Sequence, residues 1–265
     1  MYSAIQLGLK YLQYYITASN GKGHGVHSPF VFDFIINVLN SKGTYYCFNE
    51  IEDVRKAYLS NNKIIEVEDF GAGSRTGATK QRAIKDIAKS ALKPKKYSQL
   101  LFKIATYYKP ERILELGTSL GITTAYLSKS NKESQITTLE GSKNIAAEAT
   151  DTFNKLSLKN ITQITGNFDE TLTTALKQSG AIDFAYVDGN HRYEPTVRYY
   201  KEILPFTGEN SILIFDDIHW SKEMEQAWEE IKNHEAVTLS IDLFFIGLVF
   251  FKKDFKVKQH FVVRY

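Results

Sequence analysis

Beyond Pro110 the sequence settles into a regular alternation. "RILELG" reads as a strand, "ITTAYLSKS" as a helix, "QITTLEG" as a strand and "SKNIAAEATDTFNKLSL" as a helix. "ITQITG", "IDFAYVDG" and "SILIFDD" continue as strands, separated by the helical "FDETLTTALKQSG" and "EPTVRYYKEILPF" and followed by the helix "SKEMEQAWEEIKNH". Strands that alternate with helices of about a dozen residues imply a parallel, doubly wound sheet. "AVTLSIDLFFIGLVFFKK" and "HFVVRY" close the chain with no helix between them, which predicts an antiparallel hairpin at one edge.

Before Pro110 the pattern is helical. "IQLGLKYLQYYI" has apolar residues at helical spacing. In "HSPFVFDFIINVLN" Ser28 stands as N-cap and Pro29 at the first helical position. "TKQRAIKDIAKSAL" gathers Ala83, Ile84, Ile87, Ala88, Ala91 and Leu92 on one face, and "YSQLLFKIATYY" is a fourth helix. The expected division is a helical extension or cap over residues 1–96 and a core over 97–265.

Composition narrows the class. The chain has 265 residues, 43% of them hydrophobic, enough for a substantial core. One cysteine, Cys47, excludes an intramolecular disulfide and any cysteine-based zinc site. The amino-terminal stretch lacks the basic region of a signal peptide, and no apolar run approaches the roughly 20 residues of a membrane span. A cytoplasmic protein without a membrane partner is expected. Net charge is only +3. Lys80, Arg82, Lys85, Lys89, Lys93, Lys95 and Lys96 face one acid, Asp86, in a run that could touch RNA but more often forms the solvated side of a helix. A nucleic-acid partner is therefore not expected.

Two glycine-rich turns compete for a nucleotide-like cofactor: "FGAGSRTG" and "ELGTSLG". A cofactor turn should open a βαβ unit whose second strand ends in an acid about 20 residues on. The second turn meets that condition, since Gly121 leads into a helix and then into "ITTLEG", ending at Glu140. The first is followed by helix, Pro94 and helix again. Its expected role is a lid or wall over the acceptor, with Asp69, Ser74 and Arg75 turned inwards, or else a plain connector. In the second turn Gly117 and Gly121 depart from the dinucleotide spacing, and Glu115 would repel a pyrophosphate. An acid there suits a cationic amino-acid ligand, which points to S-adenosylmethionine.

The ordered set "ILELGTSLGITTAYLS", "ITTLEGS", "ITGNFDETL", "IDFAYVDGNHRY" and "SILIFDDIHW" resembles the successive motifs of class I S-adenosylmethionine-dependent methyltransferases. Within them it is similar to the metal-dependent catechol/caffeoyl-CoA-type O-methyltransferases and their sugar O-methyltransferase relatives. The resemblance covers roughly residues 97–251. It implies a Rossmann-like, mostly parallel seven-stranded sheet. It also implies that Glu115, Gly117, Ser119 and Gly121 hold the methionine part of the cofactor, that Glu140 accepts the ribose hydroxyls, and that Asn167 and Phe168 flank the adenine. Phe168 fits a core position equally well.

Asp188, Asp216 and Asp217 stand at strand ends, where clustered carboxylates call for a positive partner such as Mg²⁺ or another hard divalent ion. In the resembling family Asn is commoner where Asp217 stands. Asp188 is also a cofactor and catalytic candidate. His191 is the candidate general base, since the sugar enzymes carry a histidine there, with capping of the next helix as its alternative role. His219 and Trp220 are candidate pocket residues, with a metal-ligand role and, preferred over it, structural packing as the other readings of His219, while His24 and His27 read as loop residues ahead of a capped helix. The expected activity is metal-assisted methyl transfer to a hydroxyl of a small molecule, by a chain that could form a homodimer. The alternatives are a metal-independent methyltransferase acting on a small molecule or RNA, and an inactive cofactor-binding interaction module.

Overall fold

A computed structural model describes residues 1–43, 45–68 and 81–265. They group into two compact units, one of residues 1–41 with 180–265 and one of residues 42–179. The first glycine turn, with Asp69, Ser74 and Arg75, lies outside the described residues. The chain enters the first unit with α1 (Ala4–Thr17) and α2 (Pro29–Phe34), the latter running into a π-helical turn at Ile35–Leu39. Ser3 and Gln6 form a reciprocal capping box at the start of α1. Ser28 holds the N-cap position of α2 and Pro29 its first turn, although the Ser28 side chain makes no capping bond.

The second unit begins with α3 (Phe48–Leu59), to which the sequence pattern assigns no element. Two features hide it. Cys47 at its N-cap offers no capping bond, and its buried face of Phe48, Ile51, Arg55 and Tyr58 includes an arginine. Arg55 is tolerated there because it donates to Glu52 at 3.0 Å, to the Lys93 carbonyl at 2.8 Å and to Ser98 at 3.2 Å. Strands β1 (Ile64–Glu66) and β2 (Gln81–Ala83) pair antiparallel. Residues 81–83 thus form a strand where a helix was expected, and α4 (Ile84–Ala91) starts only at Ile84, burying Ile84, Ile87 and Ala88. Ala91 is exposed and falls outside that buried face. After α5 (Lys95–Tyr108) come β3 (Arg112–Leu116), α6 (Ile122–Ser130), β4 (Gln135–Glu140), α7 (Lys143–Lys155), β5 (Ile161–Thr165) and α8 (Phe168–Ser179). β3, β4 and β5 are parallel neighbours, and one apolar cluster joins Phe48, Ile51, Ile87, Phe102, Ile122 and Tyr126.

Returning to the first unit, the chain forms β6 (Ile182–Val187), α9 (Tyr193–Ile203), β7 (Thr207–Asp216), α10 (Lys222–Asn233), β8 (Leu239–Asp242), β9 (Ile246–Phe250) and β10 (Gln259–Val262). β6 and β7 are parallel, β9 is antiparallel to both β7 and β8, and β10 is parallel to β8. This is the α/β, Rossmann-like class that the alternation implied, with eight strands in these two sets rather than seven. The antiparallel hairpin lies inside the single stretch "AVTLSIDLFFIGLVFFKK", and "HFVVRY" adds a parallel strand after it. A bend at residues 243–245 separates two runs that are each apolar enough to be buried.

Only Tyr14 of α1 is buried, while Ile5, Leu9, Leu12 and Ile16 are exposed. Attachment combines a small apolar cluster of Leu7, Tyr11, Tyr14 and Ala18 on Phe244 and Phe245 with polar and aromatic contacts. Tyr2 Oη donates to Glu225 at 2.7 Å, Lys10 Nζ donates to the same carboxylate at 2.9 Å, and Tyr11 and Tyr14 pack on Phe244 at 5.1 and 5.2 Å. Burial raises the Glu225 carboxyl, but the hydrogen bonds from Tyr2, Lys10 and His219 outweigh it and hold the group below its usual value. A depressed carboxylate contributes stability above the ordinary value of 4.5 and loses it as pH falls through the folded value. Glu225→Gln should therefore cost ~1–2 kcal/mol at neutral pH in denaturant unfolding, with the difference from wild type shrinking in acid.

Candidate active site

In the unit of residues 42–179, parallel register sets Glu115 beside Thr138 and brings Gly117 level with Glu140. Glu115 is fully buried, and its Oε2 accepts from Thr124 at 2.5 Å and Thr138 at 2.7 Å. Three residues in the following turn have left-handed backbone: Gly117 with φ 103°, Ser119 with φ 48° and Gly121 with φ 78°. The turn is tied down by the amides of Gly117 and Thr118, both donating to the Leu139 carbonyl. Glu140 spans it, accepting from the Ser119 amide at 2.9 Å and the Ser142 amide at 3.0 Å, one on each carboxylate oxygen. The Ser119 hydroxyl is buried and has no hydrogen-bond partner among the described residues. Such an atom beside an oriented carboxylate suits a ligand carrying hydroxyl and amino groups.

Gly121 also admits a close approach. A Cβ built there would lie 2.7 Å from the Phe153 ring and 3.3 Å from Ala149, both on α7. Gly121→Ala combines that clash with a strained φ and should cost ~1–3 kcal/mol in thermal or denaturant unfolding. Asn167 caps α8, its side-chain oxygen accepting from the Asp169 amide at 3.1 Å, and Phe168 opens that helix half-buried.

In the unit of residues 1–41 with 180–265, β6 and β7 run side by side with Val187 opposite Phe215, so that Asp188 and Asp216 follow at the same level. Asp188, His191 and Asp216 each present a ligand atom within 4.8 Å of the others, and Asp216 is buried. Asp217 is not one of that group. It has left-handed backbone, φ 52°, and its amide donates to the Phe245 carbonyl at 2.6 Å. His191 Nε2 lies 3.5 Å from Asp188 Oδ1, and the N-cap of α9 is Arg192, so His191 does not cap that helix. Tyr186, two residues before Asp188 and fully buried, donates to Asp188 Oδ2 at 3.0 Å. Burial and the nearby acids raise its phenol well above the ordinary value.

Burial pulls the His191 imidazole down, but its hydrogen bond with Asp188 and the charges of Asp217, Asp188 and Asp216 push it up to about 9. In cation-free protein His191 is thus an imidazolium at neutral pH. Its contribution to stability is complete below the ordinary 6.5 and is lost as pH rises through about 9. An NMR titration of the ring should give a midpoint near 9 in a chelator-treated sample.

His219 sits half-buried between two acids, Nδ1 3.1 Å from Glu225 and Nε2 2.8 Å from Asp242, and stacks on Phe244 at 5.1 Å. Trp220 is partly exposed, and its amide donates to the Asp217 carbonyl. His24 and His27 are exposed, before α2, and belong to no such cluster of possible metal ligands. In the basic run Lys93 is buried, so the run is not one continuous solvated face. Sequence reasoning missed Thr124, Thr138, Ser142 and Tyr186. Tyr186 could have been found, since alternate strand residues share a face and Asp188 was already a candidate.

Residues 114–218 match the family model described as a methyltransferase domain. No curated protein matches the chain by sequence. Among solved structures, the chain is similar to the S-adenosylhomocysteine-bound methyltransferase PaMTH1 of Podospora anserina, with 17% identity, a TM-score of 0.60, and coverage of 85% of this chain and 97% of that one. It is similar to an O-methyltransferase of Bacillus cereus in complex with S-adenosylhomocysteine, with 16% identity, a TM-score of 0.54, and coverage of 83% and 97%. A third is the O-methyltransferase TomG of Streptomyces achromogenes, involved in tomaymycin synthesis and solved with S-adenosylmethionine, with 18% identity, a TM-score of 0.53, and coverage of 61% and 82%. Identities this low speak to the fold. Residues 114–218 thus match a methyltransferase domain, and the chain shares the fold of these methyltransferases. No helix among the described residues is long and apolar enough to cross a membrane.

Proposed function

We propose that this chain transfers the methyl group of S-adenosylmethionine to a hydroxyl oxygen of a small molecule, assisted by a divalent cation. The observation that carries this reading is the convergence of Asp188, His191 and Asp216, two carboxylates and an imidazole within 4.8 Å at strand ends. That donor set fits a hard or borderline divalent ion. Sequence adds Asp217 as a further candidate ligand. A bound cation would lower the pKa of a hydroxyl that it held and fix the direction of the oxygen.

Cofactor binding falls to residues of the 42–179 unit. Glu140, with both oxygens already oriented by main-chain amides, accepts the two ribose hydroxyls. Glu115 and the Gly117, Ser119 and Gly121 turn receive the cationic amino-acid end, and Asn167 and Phe168 flank the adenine. His191 is the proton acceptor for the acceptor hydroxyl, a role it can take only once its own imidazolium is discharged. Residues 1–96 act as a cap that shapes access for the acceptor.

One observation favours a second reading, in which no metal takes part. With a pKa near 9, His191 is itself the cationic partner of the acids at neutral pH. Calorimetric titration of S-adenosylhomocysteine, and separately of Mg²⁺ or Mn²⁺, into wild type and Asp216→Ala distinguishes the two. The proposal expects cofactor binding in both proteins, and metal heats in wild type that fall at least about tenfold in affinity in the variant. Cofactor binding with no metal response would establish the second reading. No cofactor binding would overturn both.

A further inference from the structure

The 217–220 segment follows directly on Asp216 and is anchored by its own buried Ile218. Ile218 and His219 form a turn that is entered through Asp217, which has left-handed backbone. A chain of contacts leading back to the amino terminus also holds it. The Asp217 amide donates to the Phe245 carbonyl, and the Tyr2 amide donates to the Trp220 carbonyl at 3.1 Å. Between these main-chain ties, His219 is gripped on both ring nitrogens, by Glu225 at the start of α10 and by Asp242 at the end of β8.

Each grip is braced from α1. Glu225 also takes the Tyr2 hydroxyl and the Lys10 ammonium, and Lys10 lies 4.5 Å above the Tyr2 ring. Asp242 accepts from the Phe244 amide at 2.8 Å. Phe244 carries the His219 ring on one side and meets Tyr11 and Tyr14 of α1. Phe244 itself has φ 70°, a conformation costly for an aromatic residue unless its surroundings hold it. Three links therefore reach the segment beside the acids, a main-chain one from Tyr2 just before α1, and an ionic and an aromatic one from α1 itself. The apolar contacts of α1 and its C-cap end on the same place, with Leu7, Tyr11, Tyr14 and Ala18 clustering on Phe244 and Phe245.

We propose that α1 is a clasp for the carboxylate loop, and that Glu225 and His219 are positioning residues which, through Tyr2, Lys10 and Phe244, hold Asp216 and Asp217 in register. The consequence for cation affinity rests on the metal reading above; the consequence for the loop does not. The test is hydrogen–deuterium exchange on the full, cation-free chain, together with Mn²⁺ affinity by electron paramagnetic resonance.

In Glu225→Ala, exchange at the Asp217 and Trp220 amides should accelerate by about tenfold or more, while amides of β7 keep wild-type rates. Tyr2→Phe, which removes one link and leaves the core intact, should give a smaller acceleration at the same amides. Mn²⁺ affinity should fall about tenfold in Glu225→Ala, with S-adenosylhomocysteine affinity unchanged. Glu230→Gln, on the same helix but bonded to Tyr193 and Lys201, is the control and should change none of these. Wild-type exchange at both amides in Glu225→Ala would overturn the clasp, as would equal acceleration in Glu230→Gln. If wild type binds no Mn²⁺, the metal reading fails, and the exchange comparison still decides the clasp.

Discussion

Like charges held at the ends of parallel strands are the constraint around which this chain is built. Parallel pairing aligns the carboxyl ends of neighbouring strands, so an acid that closes one strand is brought level with the acid that closes the next. In the first unit this brings Asp188 beside Asp216; in the second it brings Glu115 against Thr138 and the turn after β3 against Glu140. The two places resolve the charge differently. Both oxygens of Glu140 and one oxygen of Glu115 accept from neutral donors, main-chain amides and threonine hydroxyls. Asp188 and Asp216 have an imidazole beside them and a buried phenol behind, and their combined field is strong enough to raise His191 against the pull of burial.

That difference sets what each place can do. Carboxylates already oriented by fixed dipoles can accept further hydrogen bonds from a neutral polar ligand with little reorganisation. Carboxylates with a titratable cation beside them can exchange that cation for another positive group. The proposed division, hydroxyl recognition at Glu140 and metal or proton chemistry at Asp188, His191 and Asp216, follows that difference.

The closing strands were not legible, since the hairpin falls inside one stretch and β10 pairs parallel. The alternation of elements from β3 to α10 was legible, because its strands are mostly apolar runs. Strand ends carried the candidate site for the same reason: an acid directly after an apolar run must lie at the sheet's edge. Legibility failed where the signal depended on partners far away in sequence. Helix α3 hides an arginine in its buried face, acceptable only because of the Lys93 carbonyl and Ser98. Residues 81–83 look helical until β1 is there to pair with them. A packing role for His219 was foreseen, but nothing near it in sequence reveals that Asp242 and Glu225 grip both of its nitrogens. The helical spacing of α1 was legible and its Leu7, Tyr11, Tyr14 and Ala18 pack together, but the ties of Tyr2 and Lys10 to Glu225 were not.

The alignment of Asp188 with Asp216 has a consequence for how the chain folds. The two acids are separated in sequence by the whole of α9, so they meet only when that helix has crossed over and β7 has paired with β6. Non-local pairing of this kind is slow, since loop closure must precede its reward. Here the closing step also forces two negative charges together, adding an electrostatic opposition that the unfolded chain does not feel. Whatever neutralises the pair, a proton on His191 or an ion from solution, therefore binds the closed crossover better than the open one and draws the chain towards completing it.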